Sequence, residues 1–165
     1  MHKRFSPPID PRLARFTPRA REAVRAATEA AKTLGHSYIG TEHFLLGVFE
    51  PSSGIAARIL AETGITRTAV EAELLKHEST TSSIAVAEPM LTPRAERYLT
   101  RCNGEAVALG HNYVGTEHLL LALFDDADSL GSKLLTRLGL DRDWVRQRAV
   151  EMLISSTVPR TGTTG

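Results

Sequence analysis

The most constraining feature of this chain is an internal repeat at a constant offset of 75 residues. Between residues 16–75 and 91–150, 20 of 60 aligned positions are identical, and the alignment needs no gap. A gapless match of this length indicates a duplicated module, and duplicated units bury their apolar faces against each other. The chain of 165 residues is therefore expected to fold as two related halves.

The repeat also sets the expected domain boundaries. Three prolines and an excess of basic residues precede the first copy, and a run of Ser and Thr separates the two copies. Both compositions are typical of extended or flexible segments. We therefore predict a domain over 16–155, made of repeat one (16–78), a linker (79–90) and repeat two (91–155), between a flexible basic arm (1–15) and a disordered tail (156–165).

Helical signals recur through both copies. Thr17 precedes Pro18, which is a typical helix opening, and apolar residues then follow at spacings of three and four up to a terminating glycine. No alternation with a period of two suggests a strand. Further helix starts are predicted at Thr41, Thr116, Gly54, Leu130, Thr66 and Asp141. The predicted fold is all-α, with two four-helix repeats, eight helices in total, related by a pseudo-twofold axis.

Composition excludes several classes of protein. With 20 Lys and Arg against 19 Asp and Glu, the net charge of +1 does not suggest a dedicated nucleic-acid binder. The lone Cys102 lies on the apolar stripe of its helix, which indicates a structural residue in a reducing compartment. No apolar stretch is long enough to cross a bilayer, and no secretory signal or P-loop occurs. We predict a cytoplasmic protein that does not hydrolyse ATP and holds no metal or cofactor.

The most distinctive motif is Gly-His-x-Tyr-(Ile/Val)-Gly-Thr-Glu-His, which occurs once in each repeat. One interpretation is purely structural, with glycine turns, a helix cap and internally bonded histidines. A second is a metal site that uses His36, Glu42 and His43. The usual zinc motif pairs histidines at i and i+4 on one helix face, whereas adjacent residues point about 100° apart, so a metal hydrolase is disfavoured.

A third interpretation is binding of a ligand that carries both charges. Thr17-Pro18-Arg19 and its copy each place a hydroxyl and an Arg at a helix N-terminus, an arrangement suited to a phosphate or carboxylate. The Glu of each doubled motif can grip a guanidinium through two hydrogen bonds. Whether these helix starts lie close together is open from sequence alone. The candidate ligand-binding residues are Thr17, Arg19, Glu42, Thr92, Arg94 and Glu117.

These motifs resemble a known family. Phe16-Thr17-Pro18-Arg19-Ala20, Leu34-Gly35-His36, Gly40-Thr41-Glu42-His43-Phe44-Leu45-Leu46-Gly47 and their second copies are similar to the Clp N-terminal (Clp repeat) domain of Hsp100/ClpC-type AAA+ unfoldases. The resemblance implies a docking domain for substrates and adaptors that has no enzymatic activity of its own. It also suggests a standalone, ClpC2-like protein without ATPase modules. The loop Asp125-Asp126-Ala127-Asp128 departs from the family's usual Gly/Glu-rich sequence.

The resemblance also implies ligands and partners. In ClpC-type domains the Glu that matches Glu42 and Glu117 grips the guanidinium of phosphoarginine. Residues that match Thr17, Arg19, Thr92 and Arg94 hold its phosphate. The implied partners are phosphoarginine-marked proteins, adaptors, the ClpC/ClpP machinery and cyclomarin-type cyclic peptides. The chain would then modulate a ClpC/ClpP system or act as a decoy for it.

The alternative function comes from the basic arm. A DNA-associated helical regulator would use Lys3, Arg4, Arg12 and Arg15, and phosphate contacts would make its binding steeply dependent on salt.

Overall fold

A computed structural model of the chain describes residues 10–77 and 88–157, which form eight α-helices. Helices α1 to α4 of repeat one span Pro18–Thr33, Thr41–Gly47, Ile55–Thr63 and Arg67–His77. Helices α5 to α8 of repeat two span Pro93–Ala108, Thr116–Ala122, Leu130–Arg137 and Arg142–Thr157. The predicted all-α fold with two four-helix repeats is confirmed.

The starts of α1 and α5 follow from local capping chemistry. The Thr17 hydroxyl accepts a hydrogen bond from the Ala20 amide at 3.1 Å, and the Thr92 hydroxyl accepts one from the Ala95 amide at 3.0 Å. Each threonine satisfies an amide that has no partner within its own helix, and the proline that follows lacks an amide to satisfy. Both predicted caps are present.

Helices α2 and α6 lie at the centre of the molecule, and all seven residues of each are buried. Their sequences are apolar on every side after the first turn, as expected for helices surrounded by protein. The aromatic rings of Phe44 and Tyr98 come from different repeats, and their centroids lie 4.8 Å apart. The buried side chains form one cluster across both repeats, so the two halves share a single core.

The two repeats exchange the segments that precede α1 and α5. Strand β1, Tyr38–Ile39, pairs in parallel with β2, Met90–Leu91. At the equivalent place in the other half, Phe16 forms a parallel bridge with Val114. The sequence did not predict these strands, because two residues are too few to show a period of two. Their symmetry agrees with the predicted pseudo-twofold axis.

Thr41 and Thr116 also connect the repeats, which corrects one expectation. They were predicted to cap their own helices, but the N-cap positions of α2 and α6 are Gly40 and Gly115. The Thr41 hydroxyl instead accepts from the Gly131 amide of α7 at 2.9 Å. The Thr116 hydroxyl accepts from the Ala56 amide of α3 at 3.2 Å. Each threonine therefore caps a helix in the opposite repeat.

Thr116→Val should lower the free energy of unfolding by about 1–2 kcal/mol, because it keeps the shape of the side chain and leaves the buried Ala56 amide without an acceptor. Urea denaturation measures the change. Thr100→Val is the matched control, since the exposed Thr100 hydroxyl donates to the Glu96 carbonyl of its own helix. A Thr116→Val protein as stable as the control would contradict the role assigned to this contact.

Secondary structure begins before Phe16, within the segment predicted as the basic arm. Pro11–Leu13 form a 3-10 helix, Asp10 caps it through the Arg12 amide, and Leu13 packs against the core. Helix α8 likewise continues two residues into the predicted tail. Lys3, Arg4, the Ser/Thr run of the linker and residues 158–165 lie outside the described residues. Within residues 10–77 and 88–157, no helix has the length and apolar character needed to cross a lipid bilayer.

Candidate functional site

The exchange of segments brings each helix start next to the doubled motif of the other repeat. The Thr17 amide donates to the Val114 carbonyl at 2.9 Å, and the Thr92 amide donates to the Ile39 carbonyl at 3.1 Å. Thr17, Arg19 and Glu117 come together in one cleft, which we call the first site. We call the equivalent residues of the other half, Thr92, Arg94 and Glu42, the second site. The structure thus pairs the helix start of each repeat with the doubled motif of the other repeat.

The first site is a cleft of about 580 Å³. Its lining includes Thr17 and Arg19 of repeat one and Tyr113 and Glu117 of repeat two. Arg58 of α3 and the end of α8 complete the walls. The cleft therefore contains a carboxylate, two guanidinium groups and the positive end of the α1 dipole.

Glu117 lies at the inner wall of this cleft with an unsatisfied oxygen. The residue is only 3% exposed, and Glu117 Oε1 has no hydrogen-bond partner in the structure. His118 Nδ1 lies 3.3 Å from this oxygen, but that nitrogen accepts a hydrogen bond from the Gly115 amide and so has no proton to offer. Burial raises the pKa of the Glu117 carboxyl to about 7. A buried oxygen of this kind needs a donor, which a water or a ligand can supply.

The glycine of the doubled motif makes room for this carboxylate. Gly115 has an extended backbone that any residue can adopt, with φ of −98°. A Cβ atom at this position would nevertheless overlap Glu117 Oε1, and one on Gly40 would overlap the carboxylate of Glu42 in the same way. Close approach to a side chain, and not backbone freedom, therefore explains both glycines.

The partners of the arginine differ between the two sites. In the first site, Arg19 Nε donates to the neutral Ser53 hydroxyl at 3.0 Å. In the second site, Arg94 Nε lies 3.1 Å from a carboxylate oxygen of Asp126, and Arg94 also donates to the Asp128 carbonyl at 2.7 Å. The acidic loop Asp125-Asp126-Ala127-Asp128 therefore contacts Arg94 of the second site.

The histidines of the doubled motif are engaged in internal hydrogen bonds. His43 Nδ1 accepts from the Gly40 amide at 2.8 Å, and His43 Nε2 lies 2.7 Å from His36 Nδ1. Burial, with a contribution from His36, lowers the pKa of His43 to about 3, so the ring is neutral and Nε2 is the donor. His118 and His111 repeat the arrangement, and burial lowers the pKa of His118 to about 4. Among the described residues, no group of three or more His, Cys, Asp or Glu side chains is placed to hold a metal.

Cys102 is buried in α5, as its position on the apolar stripe predicted. Burial raises the pKa of its thiol far above the ordinary value, which disfavours the reactive thiolate. The neighbouring Tyr98 hydroxyl donates to the Leu119 carbonyl at 2.8 Å. Cys102 is therefore a packing residue.

Sequence reasoning missed several residues of the first site. Tyr113 belongs to the doubled motif and could have been included on that basis, and Arg58 lies one turn into α3. Met152 and Leu153 line the cleft from α8, and no local signal marks them. Their place depends on how α8 packs against α3 and α6, which is a property of the complete fold.

The architecture defines the chain as a duplicated all-α domain with one core and two composite sites. The profile of the family described as the Clp repeat (R) N-terminal domain matches residues 15–138 and 90–162. The chain therefore belongs to the Clp repeat N-terminal domain family.

Comparisons with individual proteins agree with this assignment. The chaperone protein ClpC of Pisum sativum chloroplasts is 37% identical over 163 residues, which are 99% of this chain and 18% of that protein. The chain thus spans less than a fifth of this relative. The N-terminal domain of ClpD from Arabidopsis thaliana superposes with a TM-score of 0.67 at 24% identity, covering 86% of this chain and 96% of that one. A ClpV N-domain solved in complex with a VipB peptide superposes with a TM-score of 0.67 at 20% identity. The match covers 87% of this chain and 89% of that one.

Proposed function

We propose that this chain is a non-enzymatic docking module that binds phosphoarginine-marked proteins and adaptors. Through them it modulates a ClpC/ClpP-type proteolytic system or acts as a decoy for it. Family membership supports a docking role, and the peptide-bound ClpV N-domain is a relative in fold that engages a peptide. Cyclic peptides of the cyclomarin type are proposed as further ligands of the domain. The cytoplasm is the proposed compartment, in keeping with a single buried cysteine.

The observation that carries this proposal is the unsatisfied Glu117 oxygen within the first site. A phosphoarginine side chain joins guanidinium N–H donors to a phosphate. Glu117 accepts from those donors, and Arg19 and Arg58 of the same cleft pair with the phosphate. A carboxylate beside two guanidinium groups favours a ligand with both charges over a simple anion or a simple cation.

The DNA-binding alternative has less support. Arg12, one of the four basic residues it requires, lies 2.7 Å from the Asp10 carboxylate and 3.8 Å from Glu96. Those carboxylates compete with phosphate for the guanidinium. No described feature of the fold favours DNA over the composite sites.

Calorimetric titration of the protein with free phosphoarginine tests the proposal. Phosphoarginine should bind, and arginine or inorganic phosphate alone should bind at least about tenfold more weakly, because each supplies only one of the two charged contacts. Arg19→Gln should weaken binding by about tenfold. Arg25→Gln is the matched control, since it removes the same charge from the same helix outside the cleft. Absence of heat at millimolar phosphoarginine would refute the proposed ligand.

A further inference from the structure

Arg94 of the second site is already paired with an anion from its own chain. Its guanidinium contacts Asp126 at 3.1 Å and the Asp128 carbonyl at 2.7 Å. Asp126 is held in this position, because one of its oxygens accepts from the Asp128 amide at 3.2 Å and its carbonyl accepts from the Ser129 amide at 3.0 Å. Arg101 adds a second cation 3.8 Å from the same carboxylate.

Among residues 10–77 and 88–157, no acidic side chain forms an ion pair with Arg19 of the first site. At the offset of 75 residues, Pro51 occupies the position of Asp126, and Ser53 occupies that of Asp128. Proline carries no charge, and the Ser53 hydroxyl is a neutral acceptor for Arg19. A hydrogen bond from a guanidinium to a neutral hydroxyl is weaker than a pair between a guanidinium and a carboxylate, so a phosphate displaces it more easily.

The hydrogen-bond acceptor of the first site, Glu117, also favours ligand binding at this site. Glu117 lines the first cleft, and among the described residues nothing donates a hydrogen bond to its Oε1, so this carboxylate has an unused acceptor. The first site thus combines an arginine with a neutral partner and a carboxylate with an unused acceptor.

From these contacts we infer that the two sites are unequal. The first site is the one that binds a phosphorylated guanidinium, and Asp126 blocks the second site by occupying the phosphate position on Arg94. This inference rests on the proposed function, since it concerns the same class of ligand. It gives the domain one strong site for a single phosphoarginine, in place of two equivalent sites.

Amide NMR of the full chain during titration with free phosphoarginine tests this inference, because the Gly115 amide reports on the first site and the Gly40 amide reports on the second. In the wild-type protein the Gly115 signal should saturate at a ligand concentration at least about tenfold lower than the Gly40 signal. In Asp126→Asn, binding at Gly40 should tighten by about fivefold or more, and binding at Gly115 should not change.

Two features make the experiment specific. Asparagine keeps an oxygen for the Asp128 amide, so the loop retains that hydrogen bond while the charge is lost. Asp128→Asn is the matched control, because Asp128 contacts Arg94 through its backbone carbonyl and the substitution should leave both sites unchanged.

The possible outcomes separate this inference from the proposed function. Equal saturation of both signals in the wild-type protein would overturn the inference and leave the proposed function standing. The same holds if Asp126→Asn fails to tighten binding at Gly40. If neither signal responds at millimolar phosphoarginine, the proposed function itself is wrong.

Discussion

Replacing Glu117 by Gln should produce a protein that is more stable at pH 8 and no longer binds phosphoarginine at the first site. The pKa of this carboxyl is about 7 in the folded protein and near 4.5 when it is exposed to water. Ionising the buried group therefore costs the fold about 3 kcal/mol at pH 8. Glutamine removes that cost, since it is neutral and of nearly the same shape.

The sign of the pH dependence follows from the direction of this shift. Because the folded protein holds the proton more tightly, the protonated carboxyl stabilises the fold fully below pH 4.5, and that contribution is lost as the pH rises through 7. The gain from Glu117→Gln should thus be largest at pH 8 and nearly absent at pH 4.5. Urea denaturation at both values measures it.

An exposed carboxylate provides the control for this prediction. Glu29→Gln on α1 removes the same charge from a side chain that is 70% exposed, and its effect should stay within about 0.5 kcal/mol at either pH. A Glu117→Gln protein that is less stable than wild type at pH 8 would contradict the account of the buried carboxylate.

Binding should change in the opposite sense to stability. A neutral amide offers no charge-assisted acceptor to the ligand, so phosphoarginine affinity at the first site should fall by about ten- to a hundredfold. Calorimetry on the same protein preparation measures this loss. Higher stability together with weaker binding would show that the Glu117 carboxylate lowers the stability of the fold and strengthens ligand binding.

Gly47→Ala should destabilise the protein by about 3 kcal/mol. A Cβ atom on Gly47 would overlap the Ala23 carbonyl oxygen of α1 and would lie 2.9 Å from the Ala27 amide nitrogen. Both atoms belong to the backbone of a neighbouring helix, which cannot move aside as a flexible side chain does. Helices α1 and α2 would therefore have to separate and would lose contacts in the shared core.

Gly104→Ala is the matched control for this substitution. Gly104 lies within α5, and a Cβ atom placed there has open space around it. Alanine should stabilise the helix by about 0.5–1 kcal/mol, because it restricts the unfolded chain and favours helix. Urea denaturation of both variants measures the contrast, and equal stabilities would show that α1 and α2 tolerate a wider separation.

Local chemistry accounts for the parts of this fold that the sequence predicted. Thr17 followed by Pro18 begins a helix in almost any context, because the hydroxyl and the amide that it satisfies lie three residues apart. The glycines after α3 and α7 are similar, since φ values of 76° at Gly64 and 82° at Gly139 favour glycine regardless of the surroundings.

The sequence could not predict which helix start lies next to which doubled motif, and the reason is physical. Two copies of one motif are compatible with contacts inside a repeat or between repeats, and a repeated sequence is the same in either case. The partners of Thr41 and Thr116 illustrate this, since each hydroxyl could cap its own helix by sequence but bonds an amide 90 or 60 residues away. The contact between Arg94 and Asp126 likewise depends on how α5 packs against the loop after α6, which the sequence alone does not determine.

The exchange of Phe16 and Leu91 between the repeats has a consequence for how this domain can be divided. Each composite site takes its cation from one half of the chain and its carboxylate from the other, as in an isologous homodimer whose two subunits have become one polypeptide. A single repeat, cut out at the linker, would carry half of each site and a complete version of neither. The proposed binding function therefore requires both repeats, and the smallest unit that can carry it is the whole tandem.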